Sequence, residues 1–134
     1  MQILGSWCPN CMDETAYMVN YYKKYHNKGV EVVGLAYERT TDYAKSKKSL
    51  TFLKNRFNIP YPILITGYKP SGGDPDKSLP MLAKVVGFPT TIIIDKKGDV
   101  RKIHTGFSGP GTGAHYTEFT SEFETLTNSL LGEK

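Results

Sequence analysis

Both cysteines of the 134-residue chain stand two residues apart in Trp7-Cys8-Pro9-Asn10-Cys11, directly after the short apolar run from Ile3 to Gly5. Two intervening residues let the sulfurs close into a disulfide when the second cysteine lies one helical turn beyond the first. The stretch therefore reads as a redox dithiol at a strand-to-helix junction, with Pro9 in the first turn, where its missing N–H costs nothing. Cys8 then sits at the helix N-terminus. There the unpaired backbone N–H groups and the positive end of the helix dipole favour a thiolate, the nucleophile of disulfide exchange. A Cys-x-x-Cys is also half of a structural zinc site, but such a site needs four ligands. No second cysteine pair exists, and His26, His104 and His115 are scattered without His-x3-5-His spacing.

With 39% hydrophobic and 22% charged residues, the chain can bury one ordinary core, so a single domain over residues 1–134 is expected. Its longest aliphatic run, Ile92 to Ile94, is far too short to cross a bilayer, and the N-terminus has no signal-peptide pattern. Met1 stands immediately before strand-like sequence, which leads us to expect a domain cut from a longer exported precursor. The net charge of +4 and a pI near 9.0 raise the question of an acidic partner, as does Tyr21-Tyr22-Lys23-Lys24-Tyr25. Those residues fall on different faces of one helix, however, and Lys45, Lys47, Lys48, Lys96 and Lys97 read as solvated surface in other segments. No nucleic-acid partner is expected.

Taken in order, Gln2 to Ser6 is a short buried strand, followed by a helix with an apolar stripe at Met12, Ala16, Val19 and Tyr22 and a cap at Gly29. Val30 to Tyr37 is a β-branched strand that completes a βαβ unit, so the sheet is parallel at its centre. Thr41 and Ser46 are candidate N-caps for a second helix, which carries Leu50, Leu53 and Phe57 and stops near Asn58 before Pro60. Tyr61 to Thr66 is another short strand, and Gly67 to Lys77 is a loop by composition. Ser78 is read as the cap of a short helix through Val86, with Leu79 and Leu82 facing inward. Phe88-Pro89-Thr90-Thr91 leads into a strand from Ile92 to Asp95, and Val100 to Thr105 returns as its hairpin partner after the turn Lys96-Lys97-Gly98-Asp99. The glycine-rich stretch Phe107 to His115 is a loop without the Lys-Ser or Lys-Thr of a phosphate loop, and a last helix covers about Thr117 to Leu131, with Phe119, Phe123, Leu126 and Leu130 on one side.

This order of elements resembles the thioredoxin fold: an α/β protein with a central mixed sheet of about five strands and helices on both faces. Three motifs are similar to the exported TlpA/ResA-type branch of thioredoxin-like disulfide reductases: Trp-Cys-x-x-Cys near the start, Gly87-Phe88-Pro89-Thr90-Thr91 before a strand, and Ile94-Asp95-Lys96-Lys97-Gly98. The helix and strand between Thr41 and Thr66 look like that branch's central insert. The resemblance implies Cys8 as attacking and Cys11 as resolving cysteine. It also implies a cis bond before Pro89, with the backbone of Phe88 pairing to an extended substrate, so that Trp7, Pro9, Phe88 and Pro89 flank the substrate. Gln2 stands where thioredoxin itself carries a buried aspartate. Because the two parallel strands should open on one crevice, Glu38 is expected near the dithiol as a substitute proton acceptor.

The function so implied is a thiol-disulfide oxidoreductase that reduces protein disulfides in a periplasmic or other exported compartment. Any membrane tether would lie outside this chain. No metal or organic cofactor is expected. The partners would be protein disulfide substrates and a membrane or soluble dithiol electron donor, with the chain itself a monomer. Two alternatives stay open. One is a thiol peroxidase, since peroxiredoxins share the insert architecture, although their chemistry resembles a Thr-x-x-Cys site. The other is a non-catalytic module that holds a partner or a metal. The Phe107 to His115 loop is expected to flank the dithiol.

Overall fold

In the computed structural model, which describes residues 1–71, 74–79 and 87–133, a five-stranded mixed sheet carries the chain. Strand β1 (Gln2–Leu4) runs parallel to β2 (Gly34–Ala36), and β2 runs parallel to β3 (Ile63–Ile65). On its other side β1 meets β4 (Thr90–Ile94) antiparallel, and β4 pairs antiparallel with the edge strand β5 (Val100–Thr105), giving the order β3-β2-β1-β4-β5. The parallel strands are shorter than sequence suggested. The expected strand from Val30 to Tyr37 contributes three ladder residues, because β1 itself ends at Leu4 where the chain turns toward the dithiol.

Four helices complete the described residues: α1 (Pro9–Tyr25), α2 (Tyr43–Phe57), α3 (Asp74–Ser78) and α4 (Ala114–Leu131). Register sorts the sheet residues by face. Leu4, Ala36 and Ile65 are aligned partners, and this face packs on Met18 and Val19 of α1, Leu50 and Leu53 of α2, and Phe123 of α4. Burying each such side chain contributes roughly 1.5–3 kcal/mol. On the opposite face Ile3 and Ile92 meet Tyr37 and Leu79, the residue after α3. The thioredoxin-like architecture with a helix–strand insert is therefore present.

The inward face of α1 differs from the apolar stripe read from sequence. Ala16 is exposed and Met12 and Tyr22 are half-buried, while Cys11, Glu14, Thr15, Met18, Val19, Tyr21 and Tyr25 are buried. The buried face is rotated because it includes two polar residues that a hydrophobic pattern assigns to solvent. At α2 neither Thr41 nor Ser46 is the cap. Asp42 caps it, accepting the Lys45 backbone N–H at 3.1 Å, and Ser46 is buried one turn in. Asn58 ends α2 in the left-handed region at φ 51°. Residues 74–77, read as loop, instead belong to α3, which ends at Ser78, whose Oγ lies 2.6 Å from the Tyr37 hydroxyl; the cap role read for Ser78 concerns a helix beyond the described residues. Leu79 is buried as expected, whereas the expected helix through Leu82 and Val86 falls outside the described residues. Finally, α4 starts at Ala114, so the end of the glycine-rich stretch is already helical, after a 3-10 turn at Pro110–Thr112.

Candidate active site

The dithiol stands where β1 hands over to α1. Cys8 is the N-cap of α1 in extended conformation, Pro9 opens the first turn, and the Cys11 backbone N–H donates to Cys8 Sγ at 3.2 Å. Cys8 and Cys11 form a disulfide across a Cα–Cα distance of 5.2 Å. Cys8 keeps 5% of its surface exposed and Cys11 none, so a partner reaches only the first sulfur. Pro9 and Asn10 are exposed beside it.

Three contacts build the wall around Cys8. The Trp7 indole folds back over Gly5 and donates Nε1–H to the Tyr37 carbonyl at 2.8 Å. A Cβ on Gly5 would lie 2.1 Å from that nitrogen, so only glycine admits the ring there. Phe88 meets the Trp7 ring edge-on at 5.2 Å and the Tyr37 ring at 5.8 Å, which sets it beside the dithiol. The Phe88–Pro89 bond is cis. Pro89 is buried, and its carbonyl accepts the Gly106 N–H at 2.7 Å. From Gly106 the glycine-rich loop runs along α1: Gly109 lies against the Asp13 carboxylate and Phe107 packs 6.3 Å from the Tyr17 ring. The Arg39 guanidinium covers Trp7 at 4.8 Å.

Glu38 lies just past the carboxyl end of β2, beside the turn that follows β1, and is 5% exposed. Its two oxygens face Ser6: Oε2 accepts the Ser6 backbone N–H at 2.9 Å and Oε1 takes the Ser6 hydroxyl. The carboxylate thus fixes the residue two positions before Cys8.

A second carboxyl was not singled out from the sequence. Glu14 sits one helical turn beyond Cys11 on the same buried face of α1 and is 1% exposed. Its Oε2 accepts the Thr91 hydroxyl at 3.0 Å, and its Oε1 has no hydrogen-bond partner. Burial pushes its pKa up to about 7, against the pull of the Thr91 hydroxyl and the Gln2 amide. Gln2 itself is fully buried, donating to Thr15 at 3.1 Å and accepting the Tyr61 hydroxyl at 3.0 Å. Next to the sheet position read as lacking a carboxylate, the facing helix thus places a buried carboxyl group. The available signal was the i, i+3 spacing from Cys11, which gains meaning only once the inward face of α1 is known. Another groove, of about 510 Å³ between Met18, Val32, Ile93, Phe123 and Leu130, opens at the opposite end of the sheet.

The Redoxin family matches residues 1–118. The chain is 31% identical over 102 residues to the thiol-disulfide oxidoreductase ResA of Geobacillus kaustophilus (strain HTA426), which covers 76% of this chain and 51% of that protein. It is 28% identical over 102 residues to ResA of Bacillus subtilis (strain 168), covering 76% and 49%. The chain thus spans about half the length of the curated relatives it matches. Among solved structures, a thiol-disulfide isomerase from Corynebacterium glutamicum superposes with a TM-score of 0.68 at 21% identity, over 99% of this chain and 79% of that one, a likeness of fold.

Proposed function

Because the chain belongs to the Redoxin family, we propose that it is a thiol-disulfide oxidoreductase that reduces protein disulfides. The observation that carries this reading is the closed Cys8–Cys11 pair, with its first sulfur at the mouth of α1 and its second buried. In the reduced protein, Cys8 attacks one sulfur of the partner's disulfide as a thiolate. The partner's S–S bond breaks, a mixed disulfide forms, and the released partner sulfur takes a proton. Cys11 then loses its proton, attacks Cys8 Sγ and expels the second partner thiolate. Two electrons have passed to the partner, and Cys8–Cys11 is oxidised. A further dithiol, membrane-bound or soluble, returns the pair to the reduced form.

The second step needs an acceptor for the proton of a buried thiol. Glu14 supports that role, with a free lone-pair set, burial on the same helix face and a pKa near neutrality. Glu38 supports a different one, holding Ser6 and so the approach to Cys8, since Ser6 engages both its oxygens. Trp7, Pro9, Phe88 and Pro89 form the surface against which the partner's segment lies. An exported compartment, periplasmic or similar, fits disulfide-bearing substrates.

The test is trapping. Cys11→Ser should accumulate mixed disulfides on Cys8 with protein substrates, and Cys8→Ser should abolish turnover. In the reduced wild-type protein, alkylation should modify Cys8 before Cys11. Consumption of hydrogen peroxide without reduction of protein disulfides would replace this reading with a peroxidase.

A further inference from the structure

Helix α2 carries Lys45, Lys47, Lys48, Lys54 and Arg56 and no acidic residue. The other residues hold twelve basic and thirteen acidic side chains, so the positive charge of the chain resides on this one helix. All five bases are exposed, and none makes an ion pair among the described residues. Lys45, Lys48, Phe52 and Arg56 follow one another at three- and four-residue steps and therefore share one face. Phe52 is 70% exposed, the most exposed large apolar side chain among the described residues.

That face borders residues next to the dithiol in sequence. A groove of about 380 Å³ runs between the two helices, lined by Lys48, Phe52, Leu53 and Arg56 on α2 and by Ser6 and Met12 on the other side. Ser6 precedes Cys8 by two residues and Met12 follows Cys11. Arg39, over Trp7, adds a further cation beside the dithiol. A bare aromatic ring between cations, in a groove whose far wall is made by residues flanking the Cys8–Cys11 segment in sequence, matches an acidic chain segment that carries its own apolar side chain.

We propose that α2 and this groove are a docking site for an acidic segment, containing an apolar anchor, of the protein partner whose cysteines exchange with Cys8. The proposal rests on the oxidoreductase reading for its biological use, but docking can be measured without the chemistry. A protein partner is favoured over a lipid surface because Ser6 and Met12, which wall the groove, bracket the dithiol segment, so a segment held there brings a neighbouring disulfide toward Cys8.

The experiment uses the full chain and two fluorescent peptides with serines in place of cysteines. One has Asp and Glu around a Phe; the other has Asn and Gln in the same places. Binding by anisotropy at low ionic strength should favour the acidic peptide by about fivefold or more, and salt should erase the preference. Lys48→Glu/Arg56→Glu should abolish it, while Lys23→Glu/Lys102→Glu, an equal change of net charge elsewhere, should keep it. Phe52→Ser should weaken acidic-peptide binding with its salt dependence retained. Equal binding of the two peptides, or equal loss in both charge variants, overturns the proposal. So does stronger binding of phosphatidylglycerol vesicles than of the acidic peptide, or self-association that α2 reversal abolishes, since these assign the face to a membrane or to a second copy. Disulfide-bearing versions of the same two peptides separate the readings: their failure to be reduced, with the binding preference intact, would count against the oxidoreductase reading alone.

Discussion

Glu14 combines a buried carboxyl, one unpartnered oxygen and a pKa raised by burial to about 7 from an ordinary 4.5. Such a group is more easily protonated in the folded than in the unfolded chain, so its neutral form is the one the fold prefers. Stability should therefore be full below about pH 4.5, fall as pH rises to about 7, and level off above it, by roughly 3 kcal/mol in total. Glu14→Gln should flatten that part of the pH profile in urea titrations. The same substitution should slow resolution of a Cys8 mixed disulfide in single-turnover experiments. Glu38→Gln should change Cys8 alkylation more than resolution, because its partner is Ser6; the reverse pattern would return the proton-acceptor role to Glu38. Trp7, the sole tryptophan, offers an internal reporter. In Gly5→Ala the new methyl collides with the indole, so the Trp7–Tyr37 bond should break, with a red-shifted emission and a loss of about 1–3 kcal/mol.

At the scale of elements, α2 is held at both ends by side-chain and backbone signals rather than by propensity alone. Asp42→Ala removes the acceptor of the Lys45 N–H and should cost about 1 kcal/mol, read as a shift of the urea midpoint with the slope unchanged. The cap also shows where sequence reading stops. Thr41, Asp42 and Ser46 are all cap-forming types within a turn and a half of each other, and only the packing of Leu50 and Leu53 onto the sheet decides the phase of the helix. The dithiol was legible because its chemistry depends on local spacing, as was the placement of Glu38, which follows from two adjacent parallel strands. Glu14 was not, because its meaning depends on Thr15 and Glu14 turning inward to meet Gln2 and Thr91, a tertiary fact that polarity in the sequence points against. Likewise Lys45, Lys47 and Lys48 of α2 read as ordinary surface until Ser6 and Met12 are found across the groove from that helix.

Over the whole molecule, the helix that presents Cys8 is fixed independently at its two ends. At the dithiol end the ties are Trp7 to Tyr37 and Ser6 to Glu38. Farther along, α1 is fastened to α4 by Glu124. Its carboxylate accepts the Tyr17 hydroxyl at 2.9 Å, the Tyr25 hydroxyl at 2.9 Å and Lys24 Nζ at 2.6 Å, while the Tyr21 ring packs tilted on Phe123, itself stacked on Phe119. Burial pushes this carboxyl up, but the three donors outweigh it and hold the pKa below the ordinary range. Its contribution to stability is thus present at neutral pH and is lost as pH falls below the usual carboxylate pKa, opposite in sign to that of Glu14. Glu124→Ala would leave the hydroxyl of the buried Tyr25 without this acceptor and should cost about 1–3 kcal/mol. Glu124→Gln, which keeps a neutral acceptor, should cost less. Because the ties at Trp7 and Ser6 are untouched, Cys8 in the reduced Glu124→Ala protein should alkylate at the wild-type rate under conditions where the protein remains folded. A parallel fall in stability and in Cys8 reactivity would show instead that α1 transmits strain along its length, and that the α1–α4 fastening belongs to the site.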